Sequence, residues 1–307
     1  MSQAGVTTGI DIARLAQPRD FVTLMKPRVM SLVVFTAFAG LLAAPGAVDP
    51  VLGAASILFI ALGAGASGAL NMGLEAETDR LMARTQLRPT ATGRIGRNDA
   101  LTFGGAVSLF SVLGLWMSAG ALAAGLLAFT IFFYAVVYTL WLKPRTAQNI
   151  VIGGASGALP PVVAWAAAGG GVPLEAWTLF LLIFLWTPPH FWALALYRSD
   201  DYARAGIPMM PNVAGPKSTR GQIWWYALAT FAAGFLPAAV GVGGALYVAA
   251  ASAFGILFLV AAFRVWRTGV EKQARDLFAI SILYLFALFG ALIAEHGIGL
   301  YRPLAGL

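Results

Sequence analysis

The chain has 307 residues, of which 59 % are hydrophobic and only 11 % charged. Its mean hydropathy is +0.79. An ordinary soluble domain is about 25 % charged, so this composition excludes a soluble globular enzyme, and its apolarity excludes an extended disordered chain. The absence of cysteine excludes disulfides, thiolate zinc sites, iron–sulfur clusters and thiolate haem ligation.

Apolar runs long enough to cross about 30 Å of hydrocarbon are expected at 27–45, 51–73, 100–120, 121–142, 149–168, 174–197, 222–243, 245–263 and 275–296. The expected fold class is therefore an all-α, polytopic membrane bundle of nine helices in the lipid bilayer. Residues 1–25, with Asp11 and Asp20 and no apolar stretch of their own, read as a cytosolic tail rather than a signal peptide. Residues 26–299 form the membrane domain and 300–307 a short outer tail.

The basic residues sort with this count. Arg14, Arg19, Lys26 and Arg28 open span 1, a run from Arg80 to Arg97 follows span 2, and Lys143 and Arg145 follow span 4. Arg198, Arg204, Lys217 and Arg220 follow span 6, and Arg264 to Arg275 follow span 8, leaving Arg302 alone on the other side. Nineteen of the 20 Lys and Arg thus share one face, which by the positive-inside rule places the N-terminus in the cytoplasm. Topology accounts for the net charge of +7, and a nucleic-acid partner is not expected. Lys26-Pro27-Arg28 opens span 1 and Lys143-Pro144-Arg145 opens span 5. With a polar acidic segment after both span 2 and span 6, this reads as a 4+4+1 pseudo-repeat of parallel units.

Ionisable groups of transporters and proton relays usually lie within the spans; here the acids lie at span ends, which points to a site at the cytoplasmic mouth of the bundle. Asn71, Glu75 and Asp79 are spaced i, i+4, i+8 and share one helical face. Like charges at this spacing repel, and a helix C-terminus disfavours carboxylates further. A bound hard cation relieves both, and a carboxamide with two carboxylates suits Mg²⁺; the alternative is a solvated loop entry whose acids pair with Arg80 or Arg84. After span 6, Tyr197 and Asp201 repeat the spacing with Asp200 alongside, so both acidic ends can converge on one diphosphate. Arg84, Arg88, Lys143, Arg145 and Arg198 share that compartment and either take the remaining phosphate charge or serve only as topology charges.

Asn71-x3-Glu75-x3-Asp79 followed by Met82-x-Arg84-Thr85-x2-Arg88-Pro89 resembles the first signature of the UbiA-type intramembrane prenyltransferases. Trp186-Thr187-Pro188-Pro189-His190-Phe191-Trp192, Tyr197, Asp200-Asp201-Tyr202 and Ala205-Gly206-Ile207-Pro208-Met209-Met210-Pro211 resemble the branch of that family that farnesylates haem. Lys143-Pro144-Arg145-Thr146 and Gly157-Ala158-Leu159-Pro160-Pro161 match it as well. The resemblance implies a reaction of farnesyl diphosphate with haem b to give haem O and diphosphate, water adding across a vinyl group, with Mg²⁺ as cofactor. It implies Asn71, Glu75, Asp79, Lys143 and Asp201 as catalytic residues, and Asn71, Glu75, Asp79, Asp200 and Asp201 as metal ligands. Diphosphate would be held by Arg84, Arg88, Lys143, Arg145 and Arg198. Two positions depart from the superfamily pattern: Glu75 stands where Asp is usual, and Tyr197 where the second motif begins with Asp.

Phe132, Phe133, Tyr134, Trp186 and Trp192 are candidates to shield an allylic cation with their ring faces. His190 follows Pro188-Pro189, where the helix is expected to kink, and is the candidate haem-iron ligand. The expected location is a bacterial inner membrane with the site on the cytoplasmic side, and expected protein partners are a haem A synthase or terminal-oxidase assembly factors. A quinone or chlorophyll precursor is the alternative acceptor, and a parallel-repeat transporter the alternative of another class.

Overall fold

The computed structural model describes residues 16–46 and 48–302. Residues 1–15 of the tail expected at 1–25, with Asp11 and Arg14, and residues 303–307 of the outer tail expected at 300–307 lie outside the described residues. All regular structure in the described residues is helical. The elements are α1 (Pro18–Leu24), α2 (Pro27–Ala43), α3 (Pro50–Leu74), α4 (Ala76–Arg80), α5 (Arg97–Phe132, continued by a π-helical segment Phe133–Leu142), α6 (Asn149–Ala158) and α7 (Pro160–Ala167). There follow α8 (Leu174–Leu196), α9 (Ser199–Arg204), α10 (Met210–Val213), α11 (Gly215–Ala233), α12 (Leu236–Ala239), α13 (Ala245–Thr268) and α14 (Glu271–Gly297).

By length and apolarity six described helices can cross a membrane, or seven if α1 and α2, bent by 53°, act as one. The sequence expectation of nine differs at two places. Arg97–Leu142 is a single run of 46 residues, about 69 Å at 1.5 Å per residue and twice the hydrocarbon thickness. It doubles back at Gly120, whose φ of 84° and ψ of 178° are open only to glycine at ordinary cost. Neighbours along α3 show the reversal. The backbone at Gly73, Gly104 and Gly114 packs against Leu101, Leu70 and Phe59, respectively, so the first half of α5 runs antiparallel to α3. In the second half Leu127 meets Gly63 and Thr139 meets Asn71, so the chain has turned parallel. The other place is α11, whose polar opening Gly-Pro-Lys-Ser-Thr-Arg dilutes its apolarity.

Start and stop signals explain the local boundaries. Asp49 caps α3 by accepting from the Val51 and Leu52 amides at 2.9 and 3.0 Å, with Pro50 in the first turn where a missing N–H costs nothing. Gly269, at φ 67°, ends α13 in the left-handed conformation that glycine adopts without strain. At the far end of the bundle the buried Glu295 carboxylate accepts from the Gly244 and Tyr247 amides at 2.7 and 2.9 Å, satisfying the opening donors of α13 from α14.

The helices form a ring through the neighbouring pairs α2–α3, α3–α5, π segment–α6, α6–α8, α8–α11, α11–α13, α13–α14 and α14–α2. Phe35 of α2 and Phe286 of α14 stack at 4.7 Å across its closure. Gly40 lets α2 close on α7, because a Cβ there would fall 2.5 Å from the Pro161 carbonyl oxygen. Inside the ring Trp165, Trp192, Tyr247, Tyr284, Phe258 and Phe289 are fully buried, whereas Leu109, Phe110, Leu113, Trp116 and Met117 of α5 are exposed. An outward apolar face of that extent needs lipid as its solvent.

α8 stays helical through Pro188 and Pro189, and each proline leaves a carbonyl one turn earlier without its usual donor.

Candidate active site

Asn71, Glu75 and Asp79 keep one face although α3 ends between them. The Glu75 amide donates to the Asn71 carbonyl at 2.9 Å and the Asp79 amide to the Glu75 carbonyl at 2.8 Å, so α-type bonding carries through the junction into α4. All three side chains are buried and line the mouth of a cavity of ≈ 340 Å³ inside the ring. Buried carboxylates require partners, and each has a cation. Lys143 Nζ lies 2.5 Å from Glu75 Oε1. Arg88 Nη1 donates to both Asp79 carboxylate oxygens, at 2.9 and 2.8 Å. Glu77, off this face, is exposed and pairs with Arg80 at 2.9 Å.

Lys26, read from the sequence only as a topology charge, belongs to this site. Its Nζ donates to Asn71 Oδ1 at 2.5 Å, and it lines the cavity. Its φ of 52° and ψ of 53° make it the one described non-glycine residue with positive φ, a strain of roughly 1–3 kcal/mol that is retained where surrounding structure enforces it. The signal that could have found it is the repeated Lys-Pro-Arg tripeptide: both copies deliver their lysine to the same helical face, Lys26 to Asn71 and Lys143 to Glu75. Tyr138 and Tyr202 were likewise missed and line the cavity.

The loop from 81 to 96 is fastened over the mouth. Thr85 Oγ1 donates to the Asp79 carbonyl at 2.9 Å, Arg80 Nε to the Ala91 carbonyl at 2.9 Å, and Arg94 pairs with Asp20 of α1 at 3.1 Å. Arg84 is carried by this loop and lines the cavity.

The remaining expected site residues are placed elsewhere. Asp201 is buried but does not line the cavity. Its Oδ1 accepts from the Ala83 amide at 3.3 Å and from Arg204, so it braces the 81–96 loop, while its Oδ2 has no hydrogen-bond partner. Asp200 is exposed and outside the lining. Arg145 donates to the Leu140 and Trp141 carbonyls at 2.8 and 3.2 Å, capping the π segment. Arg198 is exposed, its guanidinium 5.8 Å from the Tyr197 ring centre. Among the described residues no group of three or more His, Asp or Glu is gathered for one metal; what the mouth offers is two carboxylates and a carboxamide. That hard-oxygen set fits Mg²⁺, which takes one or two protein carboxylates and completes its shell with water and substrate phosphate.

Beyond the mouth the cavity is apolar, lined by Val33, Ile60, Leu127, Ile131, Val163 and Leu285. Tyr134 and Trp186 line it, whereas Trp192 is fully buried elsewhere and Phe132 faces outward. Gly153 makes room for the Tyr138 ring, since a Cβ there would sit 2.2 Å from Tyr138 Cδ2. His190 borders the cavity, stacked between Trp186 at 4.3 Å and Phe278 at 4.4 Å. Its Nδ1 is 2.7 Å from Ser281 Oγ, and Ser281 Oγ already donates to the Phe278 carbonyl at 2.7 Å. The hydroxyl has one proton to give, so it accepts from Nδ1–H, and the imidazole lone pair resides on Nε2.

An all-helical membrane ring, with acids and bases at one end of an apolar cavity, is the frame of the UbiA prenyltransferase family, and the chain belongs to that family, whose sequence model matches residues 32–294. Over 289 residues it is 56 % identical to the protoheme IX farnesyltransferase of Methylobacterium nodulans, covering 93 % of this chain and 91 % of that one. It is also 56 % identical over 295 residues to the protoheme IX farnesyltransferase of Bradyrhizobium diazoefficiens, covering 95 % and 94 %. Among solved structures its fold is similar to that of a digeranylgeranylglyceryl phosphate synthase, with a TM-score of 0.74 at 14 % identity over 90 % of this chain and 97 % of that one. A UbiA homolog from Archaeoglobus fulgidus bound to GPP and Mg²⁺ has a TM-score of 0.66 at 15 % identity, over 89 % and 99 %.

Proposed function

We propose that the protein transfers the farnesyl group of farnesyl diphosphate to a vinyl group of haem b, with addition of water, giving haem O and diphosphate. The observation that carries this reading is the polarity of one cavity. Four cationic side chains and two carboxylates crowd its mouth, and its depth is apolar, which matches a diphosphate on a hydrocarbon tail. The name shared by relatives at 56 % identity supports the choice of haem as acceptor.

Lys26, Arg84, Arg88 and Lys143 bind the diphosphate oxygens, the arginines in two-pronged contacts and the lysines as point charges. Asn71, Glu75 and Asp79 would hold Mg²⁺, which supplies Lewis-acid stabilisation of charge on the departing diphosphate. The mouth residues concentrate positive charge where negative charge develops, in a site removed from bulk water. Apolar walls keep the farnesyl chain away from water, and the faces of Tyr134 and Trp186 border the allylic cation. The haem vinyl carbon attacks that cation, its double bond supplying the electron pair. Water then adds to the vinyl-derived cation and gives up a proton. His190 ligates the haem iron through Nε2, held in that tautomer by Ser281. The common end of spans 2, 4 and 6, where these residues meet, faces the cytoplasm of a bacterial inner membrane by the positive-inside rule.

The test is a membrane assay with haem b, farnesyl diphosphate and Mg²⁺ read by mass spectrometry. The expected product is haem heavier by one farnesyl group and one hydroxyl group. Failure to form it while haem still binds would overturn the acceptor assignment. A separate expectation concerns His190: in the purified haem complex, His190→Ala shifts the haem absorption bands. An unchanged spectrum removes the axial-ligand role.

A further inference from the structure

Asn71 differs from Glu75 and Asp79 in one respect. A carboxylate offers oxygen whichever way it turns, but a carboxamide offers oxygen on one side and an N–H₂ on the other. Turned by 180°, Asn71 would point two protons at a cation. Something has to choose the side.

The choice is made from the π-helical segment. Asn71 Nδ2 donates to Thr139 Oγ1 at 3.0 Å, and Thr139 Oγ1 donates to the Tyr134 carbonyl, five residues back, at 2.8 Å. The single hydroxyl proton is committed to that carbonyl, so toward Asn71 the Thr139 oxygen can only accept. It therefore selects the N–H₂ edge of the amide. Lys26 Nζ, a donor only, meets the opposite edge at 2.5 Å, which must then be oxygen. Thr139 is buried away from the cavity lining, so water does not compete for the N–H₂ edge. The i−5 spacing belongs to the wide turn of the π segment, and such turns recur at functional sites.

We propose that Thr139 is a positioning residue whose hydroxyl locks the Asn71 amide with Oδ1 toward the cation. This rests on the reading of Asn71, Glu75 and Asp79 as the Mg²⁺ set. Thr139 lies outside the cavity lining and acts through Asn71 alone. Groups that orient a metal ligand in this way are worth on the order of 10–100-fold in metal affinity.

The experiment uses the purified full chain with Mn²⁺ as probe, titrated by electron paramagnetic resonance in the presence of inorganic diphosphate. Four proteins are compared with the parent: Thr139→Val, Thr139→Ser, Asn71→Ala and the double variant Asn71→Ala/Thr139→Val. Expected results are an affinity loss on the order of 10–100-fold for Thr139→Val, near-parent affinity for Thr139→Ser, and no loss in the double variant beyond that of Asn71→Ala. In turnover assays the Mg²⁺ dependence of Thr139→Val shifts to higher concentration with kcat largely recovered at saturation. If Asn71→Ala weakens Mn²⁺ and Thr139→Val does not, or if the two losses add, the positioning role is overturned while the metal site stands. Should Asn71→Ala itself bind Mn²⁺ like the parent, the metal reading fails and the inference with it. If Thr139→Val does not fold, Thr139→Ser decides: affinity well below the parent overturns the hydroxyl's role.

Discussion

Asp79→Ala is expected to lower farnesyl transfer on the order of 10³-fold, the scale at which electrostatic contributions to charge-separating steps are lost, with haem binding retained. Two functions converge on this carboxylate. It is one of the two carboxylates in the oxygen set at the cavity mouth, and both its oxygens accept from Arg88 Nη1 while it is buried. Deleting it removes charge from the cation site and releases Arg88 from its position against the diphosphate. The isosteric Asp79→Asn keeps the shape and still accepts a hydrogen bond from Arg88 but lacks the charge, so it is expected to lose nearly as much turnover with less effect on folding. Mass-spectrometric initial rates, beside a melting curve and a haem absorption spectrum for each variant, provide the check. Near-parent turnover in Asp79→Asn would place the cation elsewhere.

The second large effect is thermodynamic coupling between metal and diphosphate. Glu75 is held by Lys143 at 2.5 Å and Asp79 by Arg88, so the carboxylates that would take Mg²⁺ already have partners. A divalent ion arriving alone must displace a buried cation, and a buried charge stripped of its partner is costly. Diphosphate changes the balance by giving Lys143 and Arg88 a new anion. Mn²⁺ affinity should therefore rise on the order of 10²-fold when inorganic diphosphate is present, toward the upper end of usual coupling free energies. Linkage requires diphosphate affinity to rise by the same factor with metal. Lys143→Met gives the signed control: metal alone binds better, because Glu75 is uncovered, and diphosphate binds worse. Equal Mn²⁺ affinity with and without diphosphate would show that the ion pairs do not gate the site.

The helical class and the acid set were legible because both follow from local rules. Hydrocarbon thickness demands long apolar runs, and a 3.6-residue turn puts Asn71, Glu75 and Asp79 on one face whatever surrounds them. Boundaries were legible only where chemistry is local as well. Gly120, whose backbone only glycine adopts at ordinary cost, reverses the chain at the boundary expected between the runs 100–120 and 121–142. Membership of the site was the least legible part. Lys26, Arg145 and Arg198 are alike as positive charges beside a membrane. The fold turns Lys26 into the cavity through a left-handed backbone, folds Arg145 onto its own helix end and leaves Arg198 exposed over Tyr197. Asp201 shares the i, i+4 spacing of the first motif, yet it braces Ala83 in the neighbouring loop.

The chain by itself determined the solvent it lives in, the face on which its charges gather and the residue types available for holding a diphosphate, because burial in hydrocarbon excludes charge from everywhere else. The tertiary structure decided the partners: which lysine meets which carboxylate, which nitrogen of His190 keeps its lone pair and which edge of the Asn71 amide faces the cavity. Those choices rest on hydrogen bonds only a few ångströms long between residues 45 to 91 positions apart, and no local rule reaches that far.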